Sequence, residues 1–216
     1  MTQRIFLISG IDTDIGKTVA TARYAQELAA QGLSVITQKM VQTGNTGIAQ
    51  DILTHRKLQG VPLTEHDLNG TTAPYVFPYP CSPHMAAERE NTVIDPDRIL
   101  QATATLLQHY DTVLLEGAGG LMVPLTRDAT ILDYAAQHRY PIILVTSGKL
   151  GSINHTLLSI HAVAQRNLPL HRIIYNRYPE YDPAINAETE RFLQNYIRTH
   201  FPQTEWQVLE KLTMPV

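Results

Sequence analysis

The chain has 216 residues, 44% hydrophobic and 17% charged, which sets it among globular proteins and apart from disordered ones. At about 150 residues per domain this predicts a single domain, 1–216, able to bury about 70% of its unfolded surface. Seventeen Lys and Arg against twenty Asp and Glu give a formal charge of −3, which argues against a nucleic-acid partner, and the lone cysteine, Cys81, excludes an intrachain disulfide or a cysteine-rich metal site.

The first apolar run, residues 5–8, is too short for a signal-peptide core. No run approaches the ~18 residues of a membrane span, so a cytoplasmic location without membrane attachment is expected. Residues 5–8 read as a buried strand. The period turns helical over 17–31, with Val19, Ala22, Ala25, Leu28 and Ala29 on one face and Gly32 as the stop. Residues 34–37 read as a strand and 48–58 as a helix. Residues 60–82 show no period and carry several prolines; they are expected to form a surface excursion that closes over a site. Asp95 and Pro96 predict an N-cap and first-turn proline, followed by a helix along Ile99, Ala102, Leu106 and Tyr110. Strands are expected at 113–115, 142–145, 173–175 and 206–209. A helix after 142–145 has Ile153, Leu157, Ile160 and Ala164 on one face, and another over 183–199 turns Ile185, Phe192 and Tyr196 inward. The strand runs are continuous rather than alternating, as in a parallel sheet covered on both faces. The expected fold is therefore α/β, doubly wound and mostly parallel, with ligands beyond the carboxyl ends of the strands.

The first strand runs into Gly10-Ile11-Asp12-Thr13-Asp14-Ile15-Gly16-Lys17-Thr18, which reads as a phosphate-binding loop. Backbone N–H groups and the helix N-terminus would face phosphates, Lys17 would reach the β- and γ-phosphates, and the Thr18 hydroxyl would ligate Mg²⁺. The first glycine stands one residue earlier than usual, with Ile11 in its place. Glu116 ends a strand ahead of Gly117-Ala118-Gly119-Gly120, where a carboxylate can hold Mg²⁺ and glycines admit a phosphate or substrate close to the backbone. Lys39 ends the second strand: it either neutralises developing phosphate charge or is a solvated strand-end lysine. Asp51 is either a third metal-directed carboxylate or a surface acid.

Five motifs stand in order: Gly10-x-Asp12-Thr13-x-x-Gly16-Lys17-Thr18, Lys39-x-Val41-x-Thr43-Gly44, Ser82-Pro83-His84, Glu116-Gly117-Ala118-Gly119-Gly120, and Lys149-Leu150-Gly151-x-Ile153-Asn154-His155. Over 5–176 the chain resembles the dethiobiotin synthase family, including the extra residue in the phosphate loop. The resemblance implies a P-loop NTPase-type fold and an ATP- and Mg²⁺-dependent ring closure of 7,8-diaminopelargonic acid with CO₂ or bicarbonate. A carbamate would attack the γ-phosphate, and the mixed anhydride would close to dethiobiotin with release of phosphate. By the same resemblance Lys17 and Lys39 are catalytic, and Thr18, Asp51 and Glu116 hold Mg²⁺. Asp12, Thr13, Asp14, Ile15, Gly16, Lys17, Thr18, Val19, Glu116, Gly117, Ala118 and Gly119 meet the nucleotide, with Asn176 on adenine. Thr13, Lys39, Thr43, Ser82 and Gly119 meet the diamine. Leu150, Gly151, Ser152, Ile153 and Asn154 would hold the substrate carboxylate from a neighbouring subunit, which implies a homodimer. Considered alone, Ser152 equally reads as a helix cap and Asn176 as a turn residue.

His84 is expected to shape the substrate loop rather than to react. His109, His138 and His171 read as surface residues, and Trp206 with the tyrosines of 175–181 as core or interface. Two departures stand out. Met40 replaces a frequent proline beside Lys39, and the short end at 213–216 leaves the choice of nucleotide open. A glutamine-hydrolysing amide ligase would need a further domain. A partitioning-type switch ATPase would share the fold, but it usually carries a second lysine early in the phosphate loop, and residues 10–16 contain none.

Overall fold

Strands and helices alternate along a computed structural model that describes residues 4–180 and 182–210. Tyr181 and the 213–216 end lie outside the described residues. The order is β1 (Arg4–Gly10), α1 (Lys17–Ala30), β2 (Val35–Lys39), β3 (Gln42–Thr43), α2 (Gln50–Gln59), α3 (Glu65–Leu68), β4 (Val76–Phe77), α4 (Pro83–Arg89) and α5 (Pro96–Leu107). Then follow β5 (Thr112–Gly120), α6 (Ile131–His138), β6 (Ile142–Ser147), α7 (Ser152–Gln165), β7 (Leu170–Asn176), α8 (Pro183–His200) and β8 (Glu205–Leu209). Six strands form one sheet in the order β2-β5-β1-β6-β7-β8, and every pairing within it is parallel. The expected doubly wound α/β fold is what forms.

The continuous apolar runs feed two faces at once. Leu7, Leu115 and Leu144 point into one core with Ile131, Leu132 and Ile160. Their neighbours Phe6, Ile8, Leu114, Ile143 and Val145 point into the other, against Ala20, Tyr24, Ala25 and Leu28 of α1. Alternation of side chains along a strand makes this unavoidable once both faces are covered. Gly32 has φ +84° just past α1, a left-handed helix end that glycine adopts without strain. Asp95 caps α5 by accepting from the Asp97 amide, with Pro96 in the first turn, as expected.

Several expectations need correction. On α1, Ala29 is exposed, and the buried face carries Tyr24 and Thr21 instead. Tyr110 lies beyond α5, whose inward positions include Thr103. Ala164 is exposed, and Val163 packs inward. On α8, Ile185 and Phe192 are exposed, and Asn186, Thr189, Leu193 and Ile197 face the core. His138 and His171 are half-buried, the latter stacked 4.5 Å from Phe6. β5 does not stop at Leu115: Glu116 to Gly120 continue it, so the glycines form strand rather than loop. Helix α6 lies outside the expected elements, although Thr130 and Asp133 form a capping box at its start.

Residues 60–82 are more than a surface excursion. They hold α3 and β4, and Tyr75 and Phe77 are buried. β4 pairs in parallel with β3 as a separate ribbon. The segment is fastened by Arg56, whose Nε and Nη2 each donate to the buried Asp67 carboxylate at 2.9 Å. Burial alone would raise the Asp67 pKa, but the Arg56 hydrogen bonds, the Thr64 amide, the Arg56 charge and the Thr72 hydroxyl outweigh it and hold the carboxyl low.

Candidate active site

Strands β2, β5 and β1 are neighbours, so their carboxyl ends converge. Parallel pairing sets Lys39 opposite Glu116, and Ile8 of β1 opposite Glu116 from the other side. The phosphate loop leaves β1 beside them. A cleft of about 880 Å³ opens over these ends. Its walls come from the loop (Thr13, Asp14, Gly16, Lys17, Thr18, Val19), from Lys39, Thr43, Asp51, Glu116, Ala118 and Gly119, and from Pro80, Cys81, Ser82 and Pro83. The 60–82 segment therefore does reach the site through its end, alongside the start of α4.

Two glycines shape the cleft wall, one in the phosphate loop and one at the end of β5. Gly16 has φ +92°, and a Cβ there would stand 2.4 Å from Asn176 Nδ2. Gly119 has φ +72°, and a Cβ there would stand 2.9 Å from Val123 Cγ2. A side chain at either position would combine backbone strain with a clash. Asp14, at φ 56°, takes a left-handed conformation that Asp tolerates better than most residues. Lys17 Nζ donates to the Asp12 carbonyl at 2.7 Å. Burial, and next the Lys39 charge, lower the Lys17 pKa from its ordinary value.

At the centre stands a fully buried carboxylate, Glu116. Oε1 accepts from Lys39 Nζ at 2.8 Å and from the Thr18 hydroxyl at 3.3 Å. Oε2 accepts from the Thr21 hydroxyl at 2.7 Å and meets His55 Nε2 at 3.0 Å. Lys39 also donates to the Gly117 carbonyl at 3.0 Å and pairs closely with Asp51. Burial pushes the Glu116 pKa up, but Lys39 and His55 more than reverse it, so the group is held well below the usual carboxylate range. For Lys39, burial lowers the pKa, but Glu116 and Asp51 outweigh it and raise it above normal. The Lys39 ammonium and the Glu116 carboxylate therefore remain charged at neutral pH. Lys39 is 5% exposed, which sets aside the solvated strand-end alternative. Asp51 is not a free surface acid: its amide donates to Gln42 Oε1 at 3.1 Å, holding the start of α2 at the cleft.

Of the residues expected at the site, some lie elsewhere. Ile15 is buried beneath the loop, and Gly117 is buried within β5. Asp12 turns toward a second groove, of about 500 Å³, between the loop and α7. Asn176 does not line the cleft: its Nδ2 donates to the Ile15 carbonyl at 2.8 Å, and its Oδ1 accepts from the Tyr178 amide at 3.0 Å. Leu150, Gly151, Ser152, Ile153 and Asn154 also lie outside the cleft of their own chain, at the start of α7. Two site neighbours escaped sequence reasoning, Thr21 and His55. The available signal was position: His55 follows Asp51 by four residues on one helix, and Thr21 follows Lys17 by four on another.

A family model described as an AAA domain matches residues 4–205. The chain is 56% identical over 211 residues to the ATP-dependent dethiobiotin synthetase BioD 2 of Pasteurella multocida, covering 98% of this chain and 99% of that protein. It is 61% identical over 179 residues to the protein of the same name from Haemophilus influenzae, covering 83% and 94%. It is 50% identical over 193 residues to the ATP-dependent dethiobiotin synthetase BioD of Chlorobaculum tepidum, covering 89% and 81%. Among solved structures, a plasmid partition protein from Borrelia burgdorferi matches with TM-score 0.58 at 14% identity, covering 98% of this chain and 91% of that one. The MinC:MinD cell division complex of Aquifex aeolicus matches with TM-score 0.56 at 12% identity, covering 97% and 82%. At such identities these structures share the fold alone.

Proposed function

The chain belongs to the ATP-dependent dethiobiotin synthetase family, and we propose that it joins CO₂ to 7,8-diaminopelargonic acid and closes the ureido ring of dethiobiotin with conversion of ATP to ADP and phosphate. The observation that carries this reading is Lys39, a buried ammonium clasped by two carboxylates at the mouth of a phosphate loop. Relatives at 50–61% identity carry the synthetase name, so the fold shared with partition proteins gives the switch ATPase no support.

One amine takes up CO₂ as a carbamate, a carbamate oxygen attacks the γ-phosphorus, and ADP leaves. The second amine then attacks the carbamoyl carbon, closes the ring and expels phosphate. The first transfer brings two anions together, so the protein's task is placement and charge neutralisation. Lys17 extends from the phosphate loop and Lys39 from β2, and the two cations flank the space where carbamate and γ-phosphate would meet. Thr13, Gly119, Thr43 and Ser82 line the same cleft.

The donor set also suits Mg²⁺. The Lys39 ammonium already occupies a cation position between Asp51 and Glu116, and the Thr18 hydroxyl touches the latter. Mg²⁺ favours such oxygen donors together with phosphate oxygens. No group of three His, Cys, Asp or Glu among the described residues makes a metal site by itself, so nucleotide phosphates would complete the shell. Thr18, Asp51 and Glu116 would hold the ion, which when bound offsets triphosphate charge. Asn176 keeps one N–H and one lone pair beyond its loop contacts, enough to meet a purine edge.

Two features support a homodimer in which the start of α7 serves the partner's site. The segment lies outside its own cleft, and Leu150, Leu158 and Met122 are 80%, 64% and 60% exposed beside it. Backbone N–H groups at that helix end favour a carboxylate. Asn154→Ala is expected to raise the diamine KM about 10-fold or more, as loss of a hydrogen bond to a charged group does, with nucleotide affinity unchanged. Steady-state kinetics checks this, and an unchanged KM would reduce the segment to a helix cap. The reaction itself is tested with labelled bicarbonate, Mg-ATP and the diamine. One acid-stable label in a ureido product per ADP supports the assignment; ADP release without fixed label would favour the switch ATPase.

A further inference from the structure

We propose that His55 is a positioning residue for this reaction: it holds the Glu116 carboxylate so that Oε1 alone is presented to the cleft. The proposal rests on the reading of Glu116 as a Mg²⁺ ligand.

The two oxygens of Glu116 have different surroundings. Oε1 meets Lys39 and Thr18, and both of these residues line the cleft. Oε2 meets Thr21 and His55, and neither of these does. The terminal torsion of a glutamate is broad and nearly two-fold, so an unconstrained carboxylate exchanges its oxygens readily. Thr21 and His55 hold Oε2 on the side away from the cleft while the cleft-lining Lys39 and Thr18 meet Oε1, and this division breaks that symmetry.

An ionised carboxylate only accepts, so His55 Nε2 carries the hydrogen. Nδ1 then has no hydrogen-bond partner among the described residues, although the ring is fully buried. A leucine would fill the same space without an orphaned nitrogen, so packing does not call for an imidazole here. The contact to Glu116 does. His55 also lies one helical turn after Asp51 on α2, on the same face. Asp51 pairs with Lys39 while His55 meets Glu116, so α2 is tied to both members of the buried ion pair. His55 thereby sets the spacing of the two carboxylates as well as the orientation of one.

Groups that orient metal-ligating side chains typically affect metal affinity or activity 10–100-fold when removed. The test compares His55→Leu, which keeps bulk and loses the donor, with His55→Gln, which keeps an N–H near the Nε2 position. Binding of a fluorescent ATP analogue is titrated with Mg²⁺, and kcat and KM are measured alongside. His55→Leu is expected to raise the Mg²⁺ midpoint about 10-fold or more and to lower kcat. The metal-free affinity for the analogue and the diamine KM should stay as in the parent protein, and His55→Gln should recover most of the loss. Glu116→Gln is run in parallel. If it leaves the Mg²⁺ dependence untouched, the metal-ligand reading of Glu116 fails. If it shifts the midpoint and His55→Leu does not, the role of His55 is overturned, whatever the change in thermal stability. Should His55→Leu not fold, Thr21→Val strips the other Oε2 donor and is read in the same way. A shifted midpoint supports orientation through Oε2, and an unmoved one overturns it.

Discussion

Replacing Lys39 by alanine is expected to lower turnover about 10²–10³-fold, the usual cost of removing one group that stabilises charge developing in the transition state. Affinity for ATP should change little, because Lys17, the loop amides and the start of α1 remain. The reason lies in what Lys39 touches. Its ammonium bonds to Glu116 and to the Gly117 carbonyl and pairs with Asp51, so it sits where carboxylates from two elements converge. Without it, two carboxylates face each other with less compensation, and the Glu116 pKa rises, since the Lys39 charge is the strongest influence opposing burial there. Lys39→Met separates charge from bulk: it should match the alanine variant in kcat. Single-turnover assays with nucleotide binding measured beside them decide the matter, and parent-like turnover in either variant removes Lys39 from the chemistry.

Arg56→Met is expected to destabilise the fold by about 3–5 kcal/mol, the scale for breaking a buried ion pair from one side. Asp67 would stay buried without its bidentate partner, and Thr37 would lose the hydrogen bond from Nη1 at 2.8 Å. The folded-state pKa of Asp67 is depressed below its unfolded value. Its contribution to stability is therefore present above the unfolded carboxylate pKa and is lost as pH falls through the folded one. The variant should lose this acid-sensitive component and unfold at higher pH on acid titration. Urea unfolding at neutral pH and an acid titration followed by circular dichroism check both parts. A midpoint within error of the parent would mean that Arg56 does not fasten 60–82.

Local chemistry was readable where it is carried by contiguous residues. Buried parallel strands leave short apolar runs, so all six sheet strands could be placed from short windows, although β5 extends further than its apolar run because Gly117 to Gly120 continue it without side chains to report. The buried face of α8 departs from its apolar pattern for a physical reason. The Tyr175 hydroxyl lies 2.9 Å from the Asn186 carbonyl and 2.6 Å from Asn186 Oδ1, and Gly148 leaves the room that this amide occupies. A polar side chain satisfied in this way is as much a core residue as leucine, and a hydrophobic wheel cannot register it. Asp67 lies within the stretch without a period, and its pairing with Arg56 of the preceding helix, across 11 positions, leaves no local pattern.

The sequence by itself determined the α/β alternation, the phosphate loop and the residue types at the strand ends, because backbone propensity, burial period and loop chemistry act over neighbouring positions. Only the tertiary structure decided that Lys39, Asp51, His55 and Glu116 meet. Lys39 and Glu116 lie 77 positions apart and are brought face to face because β5 inserts between β1 and β2 in a fixed parallel register. Strand order and register arise from burying both sheet faces at once, a condition on the whole chain that no local window contains.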